Sequence, residues 1–349
     1  GHAKNQRMLF PQLSGLQSKA EADLLRLGFP TRLDEDWKYS STQAFTQQFF
    51  VKHQREASPH QALPTLPFKA IMCDALSGVS ATQALMDGVL VCTWAEALFH
   101  HAELVNRHLD QIATLKHGFH AQNTLMMSDG LFIYIPKGVV VSSPLYIYHP
   151  QVGVPNEANY WRHLIVAESD SAVTVIEDYV SDVAHAYYTN TLTEIQIAPR
   201  ASVCHYKLQR EGREAYHVGE VAARLNEHSA FESHSFSMGG RWVRSDTSID
   251  LTAPFARCLQ NGLYVAEGAQ HVDHHTCVRH LAPSCSSTQD YRGILSGRGR
   301  AVFNGSVMVA VDAQHSDAKQ QNKNLLLSST AEIDTKPQLE IFANDVQCT

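Results

Sequence analysis

From about Leu125 onward the chain is a succession of short runs in which apolar residues tend to take every second position. Examples are "RHLIVAE", "AVTVIEDY", "SVCHYKLQ", "GLYVAE" and "LEIFA", separated by turns of Gly, Ser, Asn, Asp and Pro. A period of two predicts half-buried strands. The first 124 residues read differently. "LSGLQSKAEADLLRLGFP" carries Leu16, Ala20, Leu24 and Leu27 at helical spacing, with Gly28 as a stop and Pro30 beyond it. Thr93 and Glu96 have the spacing of a capping box ahead of Leu98, Ala102 and Val105. Between these helices "QREASPHQALPTLP" reads as a loop or linker. The expected organisation is a mainly helical region over 1–124 and a β domain over 125–349.

The turns repeat. Ala172, Ala201 and Ala230 each follow a polar turn and open an alternating run, in steps of 29 residues. Ala256 lies 26 further on, and Ala301 and Ala331 are 30 apart. A period near 30 with two short strands per repeat predicts a parallel β-helix, a solenoid in which stacked coils share one interior. A sandwich with evenly spaced turns is the alternative. The 45-residue step from Ala256 to Ala301 calls for an insertion or an extra half-turn. A solenoid has two ends. The N-terminal helices can cover one; the other holds "LEIFANDVQCT", an edge strand that predicts a partner, either a second copy or a related chain.

Composition narrows the classes. Hydrophobic residues make up 44% and charged residues 18% of the 349, a globular rather than a disordered balance. A net charge of −7 argues against a dedicated nucleic-acid binder. No apolar run is long enough for a transmembrane helix, and "GHAKNQRMLF" lacks a signal-peptide core. Gly1 and His2 read as a cloning remnant. The seven cysteines are scattered, with no C-x-x-C pair, which points to free thiols in a reducing cytoplasm. Cys204 and Cys258 read as inert core thiols.

Candidate chemistry is sparse. "QHVDHHTCVRH" gathers His271, Asp273, His274, His275, Cys277 and His280, residue types that bind metals, at spacings of no known motif. "LDEDWKYSST" places acids beside Trp37 and Tyr39, and reads best as a loop anchored by its Trp. Phosphate loops, nucleophile elbows and H-E-x-x-H are absent. Asp246 with Asp250, and Asp312 with Asp317, keep open a β-helix enzyme acting on polysaccharide. Cys348, in a polar stretch at the expected open end, is the best candidate for a functional thiol and metal ligand.

"EDWKYSS", "VDHHTCVRHLAPSCSSTQDYRGIL" and the long run from Arg300 to Cys348 resemble the SufB/SufD family of iron–sulfur cluster assembly proteins, nearer its SufD branch. The resemblance implies a helical N-terminal domain and a right-handed parallel β-helix. The C-terminal helical domain of the family has no counterpart in this chain. It further implies a non-catalytic scaffold that joins SufB and the ATPase SufC in a SufBCD complex, supports iron acquisition, and pairs with itself when isolated. Iron or a nascent cluster would pass through transiently, with no cofactor held permanently. Cys348 matches the family's interface cysteine; the histidine that follows it in the family has no counterpart before Thr349. A structural interaction solenoid without metal chemistry is a further reading.

Overall fold

A computed structural model describes residues 10–52, 64–79, 85, 86, 88–149 and 154–349. Residues 1–9 and most of the expected linker, 54–63, lie outside the described residues. The N-terminal part supplies helices α1 (Ser14–Leu27), α2 (Gln43–Thr46), α3 (Trp94–His100), α4 (Ala102–His108) and α5 (Gly118–Met126). It also supplies strands β1 (Val51–Lys52), β2 (Ile71–Asp74), β3 (Gly78–Val79) and β4 (Leu90–Thr93). Helix α1 ends at Gly28, whose φ of 63° suits a residue without a Cβ. Helix α3 starts from the expected capping box: the Thr93 side chain accepts from Glu96 N–H while the Glu96 carboxylate accepts from Thr93 N–H.

Two parallel sheets follow. The odd-numbered one comprises β5 (Leu131–Ile135), β7 (Glu157–Ala167), β9 (Tyr188–Ile197), β11 (Tyr216–Leu225), β13 (Trp242–Leu251), β15 (His271–His280), β17 (Arg300–Val309) and β19 (Glu332–Ile341). The even-numbered one comprises β6 (Leu145–Tyr148), β8 (Ala172–Val180), β10 (Ser202–Arg210), β12 (Ala230–Ser237), β14 (Arg257–Ala266), β16 (Ser286–Leu295), β18 (Ser316–Leu326) and β20 (Val346–Cys348). The chain alternates between them, giving a parallel β-solenoid of about seven turns.

The repeat read from the alanines has a physical basis at one corner. Asp170, Arg200, His228, Phe255, Ser284 and His315 all have φ between 52° and 63°. Each is followed by a small buried residue: Ser171, Ala201, Ser229, Ala256, Cys285 or Ser316. The corner packs tightly, and only small side chains fit the inward column that it creates. Main-chain bonds tie one corner to the next, as from Arg200 N–H to the Glu227 carbonyl at 2.9 Å and from Ser284 N–H to the Gln314 carbonyl at 2.9 Å. No insertion separates Ala256 from Ala301. Ala256 opens a strand of the even sheet and Ala301 lies on the odd one, so the 45-residue step crossed sheets. The true counterpart of Ala256 in the next coil is Cys285, as the register Arg257↔Ser286 requires.

The two ends differ. At the N-terminal end β4 pairs antiparallel with β5, and β3 with β2, so strands rather than helices close the stack. The helices instead lie across the outer face of the odd sheet. There Trp94, Leu98, Val105 and Leu109 pack on Phe132, Leu164, Val166 and Leu192. At the other end β20 covers only Ser316–Ala318 of β18, and among the described residues nothing pairs beyond β19.

Candidate functional site

The "LDEDWKYSST" loop is an anchor, as its Trp suggested. Trp37 is buried and stacks near Trp242 and Phe119. Arg244, also buried, sits 4.1 Å from the Trp37 ring centre and donates to the Asp36 carbonyl at 2.7 Å. The same guanidinium pairs with Asp246 at 3.0 Å and with Asp273 at 2.9 Å. Burial opposes ionisation of Asp273, but Arg244 outweighs it and holds the carboxyl well below its usual range. Beneath the loop lies an open cleft of about 470 Å³ whose walls include Lys116, His117, Asp246, His275 and Cys277.

The histidine-rich strand β15 does not converge on a metal. His271, Asp273, His275 and Cys277 point outward, while His274 and His280 point into the solenoid. His271 meets Ser40 Oγ at 2.7 Å, His274 meets Ser237 Oγ at 3.0 Å and His280 meets Ser287 Oγ at 2.8 Å. Alternation along the strand splits the cluster between two environments.

Helix α5 is held to the odd sheet by His120, whose Nδ1 lies 2.9 Å from Glu220 Oε2. Burial disfavours the imidazolium, but Glu220 and Asp110 outweigh it and raise the His120 pKa from 6.5 to about 9. A raised folded-state value means stability that is full below pH 6.5 and is lost as pH rises through about 9. The expected outcome is that the protein loses thermal stability between pH 6.5 and pH 9, and that His120→Asn loses less over the same window. Equal losses would show that this pair does not carry the effect.

The interior is more polar than the alternating pattern predicts. In β10, Val203, His205, Lys207 and Gln209 point inward, while Cys204, Tyr206 and Leu208 point outward. Several buried polar groups of the interior find partners across the coils, while Lys207 Nζ makes no hydrogen bond among the described residues. Leu131 N–H donates to His163 Nδ1 at 3.0 Å, so His163 carries its proton on Nε2 and donates to His149 Nε2 at 2.8 Å. His149 Nδ1–H then donates to the Asp178 carbonyl at 2.8 Å. Both imidazoles are neutral: burial pushes the His163 pKa down to about 4 and that of His149 well below its ordinary value. Glu177 accepts from His205 at 3.0 Å and from Thr193 at 2.5 Å. Glu211 pairs with His217 at 2.6 Å. Lys207 is also enclosed, and burial brings its pKa down to about 8. Gly219 leaves room for it, since a Cβ there would lie 1.9 Å from Lys207 Nζ. Hydrophobic patterning misses this polar line because the outward positions of β10 are the more apolar ones.

Cys348 sits on β20, registered with Ala318, and packs beside Val346 against a small cluster around Val307, Val309 and Ala343. It is half-buried, and burial raises its thiol pKa. Its side chain faces the interior of its coil, and among the described residues no further coil covers it. Among the described residues no second and third metal-ligating atoms gather around it. One thiol is an incomplete donor set for any ion. On the same coil Leu326, Leu339 and Ile341, which stack inward on the previous coil, are left exposed. Glu332 N–H donates to the Gly299 carbonyl and Phe342 N–H to that of Val309. Alternate residues of a parallel strand face the same neighbour. The N–H groups of Ile333, Thr335, Leu339 and Ile341 therefore face the open edge. Pro337 falls on that same side, where it removes no bond to β17.

Comparison with known proteins matches this architecture to one family. Residues 151–349 match the SufBD core domain of the SUF system for FeS cluster assembly, and residues 4–147 match the SufBD protein N-terminal region. The iron-sulfur cluster assembly protein SufD of Escherichia coli is 33% identical over 93% of this chain and 77% of its own length. A SufBD family protein of Synechocystis is 26% identical over 94% of the chain and 76% of its own length. SufB of Bacillus subtilis is 27% identical over 65% of the chain and 49% of its own length. The solenoid, its N-terminal cover and both matched regions make this chain a member of the SufB/SufD family of iron–sulfur cluster assembly proteins, with SufD its resemblance within it.

Proposed function

We propose that this chain is a non-catalytic, SufD-like scaffold subunit of a cytoplasmic SufBCD complex. Its last coil docks on a SufB-type solenoid, the ATPase SufC completes the assembly, and the subunit supports iron acquisition and cluster formation at the interface. The isolated chain pairs with a second copy through the same edge. Iron or a nascent cluster is the cargo, held transiently, with Cys348 as this chain's ligand. The observation that carries the reading is an inward thiol on a coil that no described residue covers: the edge asks for a strand, and the thiol asks for further ligands from whatever supplies that strand. Split ligation also suits release, since separating the halves dismantles the site.

The polysaccharide-enzyme reading has less support. Of its two outward carboxylates on β13, Asp246 is paired with Arg244, and Asp250 with Arg279 at 2.6 and 2.7 Å. Carboxylates neutralised by arginine are poor general acids and bases.

The test is Cys348→Ala in the assembled complex. The variant should still associate but should lose most of the visible charge-transfer absorbance of a newly formed cluster. Wild-type absorbance in an intact complex would remove Cys348 from the site.

A further inference from the structure

The helices occupy the odd sheet, while on the even sheet outward positions such as Ser202, Glu232, Arg257 and Thr288 are open to solvent. Three residues converge on that face. Cys204 of β10 is registered opposite Glu232 of β12, and His234 lies two residues along the same strand. Their ligand atoms lie within 4.8 Å of one another. Cys204 Sγ is 3.8 Å from Glu232 Oε2, and His234 Nε2 is 3.5 Å from the same oxygen. The reading of Cys204 as an inert core thiol is therefore corrected: the sulfur faces outward and is only half-buried.

We propose that Cys204, Glu232 and His234 bind one divalent transition-metal ion of the zinc class. In tetrahedral coordination with bonds of about 2.0–2.3 Å, ligand atoms stand about 3.4 Å apart. The Cys204–Glu232 and Glu232–His234 separations need contract by only a few tenths of an ångström to reach that spacing, and the Cys204–His234 separation, within 4.8 Å, by more. Sulfur, imidazole and carboxylate together favour zinc or ferrous iron over calcium or magnesium. Three protein ligands leave a fourth position for water or an incoming group.

The surroundings orient the ligands. The Tyr206 ring stacks on His234 with centroids 4.6 Å apart. Asn261, registered opposite His234 on β14, has its side-chain amide 3.3 Å from His234 Nδ1. With its amide oxygen turned to that position it accepts Nδ1–H, leaving the Nε2 lone pair free for the ion. The sites at Cys204 and Cys348 are distinct. Strands β10 and β20 are five ladder steps apart in the even sheet, about 24 Å at about 4.8 Å per step. The inference stands independently of the proposed SufBCD role, because it needs only this chain.

The test uses Co²⁺ as the probe, added to the full chain carrying Cys348→Ser so that the terminal thiol cannot contribute. The expected result is a near-ultraviolet thiolate-to-cobalt band that saturates at one equivalent and is displaced by Zn²⁺. Cys204→Ser should abolish the band, and His234→Ala or Glu232→Gln should weaken binding at least tenfold. All three should unfold thermally like the parent, since the side chains lie on the outer face. Absence of the band in the parent, a band that survives Cys204→Ser, or affinity untouched by the His234 and Glu232 changes would each overturn the site.

Discussion

Replacing Arg162 by Met should cost about 3–5 kcal/mol of stability, among the largest single effects expected in this chain. Arg162 lies on the outer face of β7 and is fully buried beneath the helices. Its guanidinium donates to Glu194 at 2.9 Å, to Asp110 at 3.2 Å and to Thr124 Oγ1 at 3.0 Å. Glu194 is equally buried and also accepts the backbone N–H groups of Asp110, Ile112 and Ala113 at 2.8–3.0 Å. One ion pair thus fixes the segment between α4 and α5 onto the odd sheet. Methionine has much of the volume but no charge, so it strands a carboxylate out of reach of water. The double change Arg162→Met with Glu194→Gln should recover part of the loss, because the amide oxygen can still accept from the loop without a charge to desolvate. Chemical denaturation of the wild type and the two variants checks this. A midpoint for Arg162→Met within about 1 kcal/mol of wild type would mean that the pair contributes little beyond packing.

Much of this fold is legible in the sequence because a solenoid repeats its local rules. One corner geometry recurs, so a small residue returns at nearly constant spacing, and Ala201 and Ala256 report the period directly. The apparent insertion before Ala301 arises because two sheets carry the same pattern, and a list of alanines does not say which sheet each belongs to. The placement of the helices is not legible: an amphipathic helix declares an apolar face but not the surface that it covers. The polar interior is hidden for a physical reason. His205 pairs with Glu177, 28 residues earlier, and Lys207 lies over the Tyr179 ring at 5.6 Å, and alternation within one strand contains no trace of either neighbour. The same limit applies to Cys204 with Glu232 and His234, which become neighbours only through strand register. Cys348 stands out in the sequence because it breaks a local pattern, and the structure places it on β20 at the open coil.

Leu339→Lys should weaken association through that coil by two orders of magnitude or more while leaving the folded chain intact. Leu339 stacks under Val307, and its other side is uncovered. In the free chain a lysine stem can lie along the same apolar surface with its ammonium in water. In a complex the ammonium would be trapped between stacked coils without a partner, at a cost of several kcal/mol. The edge offers the N–H groups of Ile333, Thr335, Leu339 and Ile341, interrupted once by Pro337, together with the uncovered side chains of Leu326 and Ile341.

The most direct measurement is amide hydrogen exchange of the full chain with and without a SufB-family partner, for the wild type and for Leu339→Lys. On adding the partner, the wild type should gain protection at Leu339 and Ile341 on the open edge of β19 and around Cys348, and the variant should gain little. Unchanged exchange at β19 in a complex that nevertheless forms, or equal protection in the variant, would contradict docking through the final coil.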